Sequence, residues 1–126
     1  MAPSGLFDAA APTDAQLPKD VEKLRQSCPV VASFGAKDPI VARGTAAKLE
    51  AVLAGGQVPH DVKEYPHVGH GFMNDHAVPV PIRLVAGIAG MAYSEPEAED
   101  AWRRIITFFE EHLTGTDSDL DAAGQA

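Results

Sequence analysis

Two short segments of this chain hold the residues able to do chemistry. Phe34-Gly35-Ala36-Lys37-Asp38 closes one apolar run and Gly69-His70-Gly71-Phe72 closes another, the histidine lying 70 − 38 = 32 residues after the aspartate. An acid just past one strand and a histidine just past the next is the order of acid and base in one class of hydrolytic triad. There the base takes a proton from a serine or cysteine nucleophile, while the acid accepts the other imidazole N–H, fixes the tautomer and stabilises the imidazolium. Gly69 and Gly71 leave the imidazole of His70 unhindered, and Pro39 pins the backbone after Asp38. No Gly-x-Ser-x-Gly or Gly-x-Cys-x-Gly occurs, so no nucleophile is expected on this chain. Plainer uses exist for each residue alone: Asp38 as the cap of a helix beginning near Ile40, His70 as an ordinary loop histidine. Their joint occurrence, each after a strand and in the right order, favours the acid–base reading.

Other reactive side chains fit less well. His67, His70 and His76, with His60, Asp61 and Asp75 nearby, are types that zinc accepts, but no pair stands four apart on an expected helix. No metal or cofactor is therefore expected. Cys28 has nucleophile chemistry in the wrong place: it precedes Pro29 at the entry to a strand, the opposite end from Asp38, and reads as a small buried hydrophobe. Phe72 and Met73, directly after the histidine, are either substrate-binding residues or anchors of their loop.

The elements that must position this pair follow from the apolar pattern. Residues 1–18, rich in Ala and Pro, read as loop or linker, and Pro18-Lys19-Asp20 starts a short helix running to about Gln26. Pro29 to Phe34 is too short for a buried helix and rich in β-branched residues, which predicts a central parallel strand. A 3.6-residue period from Ile40 to Ala54, stopped by Gly55-Gly56, predicts a helix; Asp61 to Tyr65 is a second strand, with Val62 and Lys63 on opposite faces. Strand, helix, strand in this spacing is a βαβ unit, which puts both strand ends on one side of the sheet. Ser94-Glu95-Pro96-Glu97 is a capping box with Pro in the first turn. Behind it, Ala98, Ala101, Trp102, Ile105, Phe109 and Leu113 form the apolar stripe of a closing helix, with Trp102 and Phe109 expected in the core.

Bulk properties bound the rest. The chain has 126 residues and a formal net charge of −8, so it is one domain at most and repels nucleic acid and anionic membrane. The apolar stretch from Ala77 to Tyr93 contains Pro79, Pro81 and Arg83 and is shorter than the roughly 20 residues of a membrane span; it reads as a flap over a pocket or a face that packs on something else. One cysteine gives no internal disulfide, and no secretion signal is read at the N-terminus, so a cytoplasmic location is expected. Residues 114–126, acidic and without aromatics, read as a disordered tail. Two strands and three helices rarely close a core, so the chain alone is expected to be oligomeric or aggregation-prone, with a second copy or a complementing chain as its partner.

Taken together, Cys28-Pro29-Val30-Val31 leading to Phe34 through Asp38, Tyr65-Pro66 leading to Gly69 through Asn74, and Ala98 through Ile105 before Phe108-Phe109 resemble the C-terminal half of the dienelactone hydrolase family, a branch of the α/β-hydrolases. The resemblance runs from about Leu17 to Leu113. It implies a partial α/β-hydrolase fold over residues 19–113, a βαβ unit plus closing helix with the nucleophile half absent. It also implies a carboxylic ester or lactone hydrolase with a small-molecule substrate and no metal, in which Asp38 is the triad acid and His70 the base. Position 74, where a dienelactone enzyme can carry an arginine for the substrate carboxylate, is Asn74. The alternative is a non-catalytic interaction module, or an inactive truncated paralogue, that pairs with another chain.

Overall fold

The computed structural model describes residues 5–75 and 79–113. The expected short helix is a 3-10 turn, Val21–Gln26. Then come β1 Val30–Gly35, α1 Thr45–Gly55, β2 His60–Tyr65, α2 Val80–Ile88 and α3 Glu95–Leu113. The two strands are parallel, in register from Val30 opposite His60 to Gly35 opposite Tyr65.

Every residue of β1 is buried, as expected of a parallel strand covered on both faces. Its alternating side chains divide between two layers. Val30, Ala32 and Phe34 pack with Ala46, Leu49 and Leu53 of α1, the i, i+3, i+7 positions of one helix stripe; Val31 packs with Ile105 and Phe108 of α3. β2 repeats the division: Val62 lies against the α1 layer, and Asp61 reaches Arg104 on α3. Arg104 is the polar tie of this second layer, donating also to Ser33 Oγ, Tyr65 Oη and the Ala32 and Asp61 carbonyls.

Four sequence expectations change. Residues 10–14, inside the stretch read as linker, run alongside β1, with parallel bridges pairing Ala10 to Val30 and Thr13 to Ser33. α1 begins at Thr45 rather than Ile40; Ile40 is exposed, because the Asp38 carboxylate draws the next two N–H groups into a turn. Trp102 is 55% exposed, Phe109 is half-buried against the core, and the buried aromatic of α3 is Phe108: three residues after Ile105 and seven after Ala101, it continues the Ala98, Ala101, Ile105 stripe. Part of the apolar stretch is itself helical, as α2, and all of its large apolar side chains are exposed. Among the described residues no helix is long and apolar enough to cross a membrane. His76, Ala77, Val78 and the acidic tail lie outside the described residues.

Candidate active site

The two strands end side by side, and their following loops are drawn together by backbone contacts. Ala36 N–H donates to Tyr65 O at 2.9 Å and Lys37 N–H to Val68 O at 3.0 Å. This approach requires glycine at position 35, where a Cβ would stand 2.6 Å from the Gly69 carbonyl oxygen. Phe72, fully buried and stacked at a tilt 5.1 Å from the Tyr65 ring, anchors the second loop from below. Of the two residues considered for substrate contact, Phe72 is therefore a core residue, and Met73 is half-buried, packed against both core clusters of the α3 side and lining the groove beside His70.

Asp38 and His70 meet where these loops converge. The imidazole Nδ1 lies 2.8 Å from Asp38 Oδ2, and the acid's side chain is 2% exposed against 35% for the base. The other oxygen, Oδ1, accepts from Ile40 N–H at 2.6 Å and Val41 N–H at 3.0 Å. Thus the capping use and the pairing use of Asp38 coexist, one oxygen for each, although what is capped is a turn and not the start of α1. Burial pushes the Asp38 carboxyl up, but the Val41 and Ile40 N–H groups and the His70 ring outweigh it and hold it below the ordinary carboxylate range. An ionised acid fixed beneath a half-exposed base is the arrangement that can hold Nδ1 protonated and leave Nε2 free to take a proton.

Sequence reasoning missed a third member. Asp14 lies within this cluster: one ligand atom each from Asp14, Asp38 and His70 fall within 4.8 Å of one another. It sits in an Ala- and Pro-rich stretch with no periodicity, and nothing in its spacing relates it to positions 38 or 70. The described members of the alternative metal set do not assemble: among the described residues the three-residue group of metal-ligand types is this one. His60 Nδ1 contacts the Val58 carbonyl and Asp61 pairs with Arg104, while His67 is exposed. Cys28 is buried, at the opposite end of β1 from the site. Beside His70 opens a groove of about 400 Å³, walled by Thr13, Asp14, Met73, Trp102 and Phe109.

The chain matches the model of the dienelactone hydrolase family over residues 2–113. No curated protein matches it. Among solved structures it is similar to a Klebsiella pneumoniae protein assigned as a dienelactone hydrolase, at 21% identity and a TM-score of 0.59, over 81% of this chain and 41% of that one. A dienelactone hydrolase-like promiscuous phosphotriesterase from metagenomic libraries is similar at 23% identity and a TM-score of 0.58, over 76% of this chain and 38% of the other. At these identities the likeness is one of fold. The chain spans about two fifths of the length of these structures.

Proposed function

The chain belongs to the dienelactone hydrolase family, and we propose that it is the acid-and-base portion of a hydrolase acting on the ester or lactone bond of a small molecule. The observation that carries this reading is the 2.8 Å contact between His70 Nδ1 and Asp38 Oδ2, with the acid buried and the base half-exposed. In the reaction, a serine or cysteine supplied from outside these 126 residues gives its proton to His70 Nε2 as it attacks the carbonyl carbon. The leaving alcohol takes that proton, and an acyl-enzyme remains. Water then gives a proton to His70 and its oxygen to the acyl carbon, and the acid is released as the nucleophile recovers its proton. Asp38 stays ionised throughout and stabilises the imidazolium of each step. Without a nucleophile the rate falls by several powers of ten.

The test is p-nitrophenyl acetate hydrolysis by this chain, alone and mixed with an N-terminal half from a relative that carries the nucleophile turn. The expected result is background alone, and hydrolysis in the mixture that His70→Ala abolishes. A rate in the mixture that His70→Ala leaves unchanged contradicts the reading. A second reading, a module that pairs with another chain, is favoured by the exposed apolar side chains of α2; it predicts a stable complex with no hydrolysis.

A further inference from the structure

One buried carboxylate has no part in that reaction. Asp14 is 6% exposed and adopts φ +46°, a left-handed conformation that Asp accepts more readily than most residues. Its own N–H donates to Ser33 O at 2.9 Å, which fixes it at the end of β1. Its two oxygens are then divided between the two loops of the site. Oδ1 accepts from Gly35 N–H at 2.8 Å and Oδ2 from Gly71 N–H at 2.8 Å. Gly35 stands three residues before the acid, and Gly71 directly follows the base.

Both partners of this side chain are donors, so the bridge needs an acceptor at each end. The ionised carboxylate provides two full acceptors; an amide turns its NH₂ toward one of the two N–H groups, and the hydroxyl oxygen of a carboxylic acid is a weaker acceptor. Among the described residues no titratable side chain other than Asp14 and His70 lines the adjoining groove, where α3 presents Trp102, Ile105 and Phe109. Among the described residues the charged groups facing the imidazole are thus Asp38 from the loop after β1 and Asp14 from the segment beside it.

We propose that Asp14 is a positioning residue for the acid–base pair: while ionised it clasps the loops of Asp38 and His70 together, and the contact between them loosens when Asp14 loses its charge. This rests on the reading of Asp38 and His70 as acid and base. The two carboxyls are separable by pH. Burial pushes Asp14 above the ordinary aspartate range, against the pull of the Gly35 and Gly71 N–H groups, whereas Asp38 is held below that range. Acidification therefore neutralises Asp14 first.

The experiment is two-bond ¹H–¹⁵N spectroscopy of the His70 ring in the full chain at pH 8. The wild-type ring should carry its proton on Nδ1, and Asp14→Asn should lower the ratio of Nδ1–H to Nε2–H forms by about tenfold, the effect of leaving one buried donor unpaired. An unchanged ratio in folded Asp14→Asn protein overturns the proposal. If that variant does not fold, acid titration of the wild type decides. A step in the His70 ring resonances that coincides with the inflection of the Asp14 carboxyl carbon supports the clasp; an Asp14 inflection that the His70 ring does not follow refutes it. A wild-type ring protonated on Nε2 would remove the underlying acid–base reading, and the proposal with it. None of these readouts depends on hydrolysis.

Discussion

The site and the α2 face answer opposite demands. At the ends of β1 and β2 every oxygen of Asp14 and Asp38 has a hydrogen-bond donor, and backbones approach so closely that Gly35 admits no side chain. In α2, Val80, Ile82, Leu84, Val85 and Ile88 are all more than half exposed. What joins the two regions is backbone. Gly90, just past α2, lies so near Gly69 that a Cβ there would stand 1.8 Å from the Gly90 carbonyl oxygen, and Ser94 N–H donates to Phe72 O at 3.1 Å. The lesson is that the acid–base geometry is built by short-range hydrogen bonds and glycine contacts within the chain, whereas the helix beside it leaves its apolar side chains exposed.

The sharpest way to break this contrast is to put a methyl where the regions touch. Gly69→Ala should cost about 3 kcal/mol or more, because the clash is with backbone that has nowhere to move; a urea midpoint equal to wild type would mean that the two regions do not meet. Next in size is Arg104→Ala. It leaves Ser33, Tyr65 and two carbonyls short of a donor and should cost about 2–3 kcal/mol by urea unfolding; a loss below about 0.5 kcal/mol would show that α3 is held by its apolar stripe alone.

A smaller effect should appear in the pH dependence of stability. Asp38 is held below its ordinary value, so its ionisation stabilises the fold above about pH 4 and that contribution is lost as pH falls through the lowered value. Asp14, raised by burial, acts in the opposite sense and opposes folding once it is ionised. Asp38→Asn should therefore flatten the loss of stability on acidification, and a profile parallel to wild type would contradict this. Smallest of all is Leu84→Lys with Ile88→Lys on α2. It should leave the unfolding midpoint within about 0.5 kcal/mol of wild type while reducing self-association in ultracentrifugation. A large destabilisation would show that this face is already packed.

The contrast also marks what the sequence reveals. Asp38 and His70 are legible because each follows a strand signal, β-branched at Val30-Val31 for the first and alternating at Val62-Lys63 for the second, and is flanked by glycine or proline, and such local signals survive into the fold. The helix Thr45–Gly55 is legible at its glycine stop and misread at its start, since a side-chain-to-backbone bond at Asp38 overrides the continuing apolar period at Ile40 and Val41. Phe108 and Trp102 differ by less than two turns, and only the direction of the β1 face at Val31 decides between them. Asp14 is illegible because its role comes from non-local contacts with positions 35 and 71, which no spacing encodes.

The central claim is that Asp38 and His70 form a fixed acid–base pair, and it is tested most directly by comparing the His70 ring tautomer in wild type and Asp38→Asn above the imidazole's titration range. With Oδ1 retained by Ile40 and Val41, an asparagine turns its NH₂ toward the ring and makes Nδ1 an acceptor. The account predicts a proton on Nδ1 in wild type and on Nε2 in the variant. The same tautomer in both proteins would contradict it.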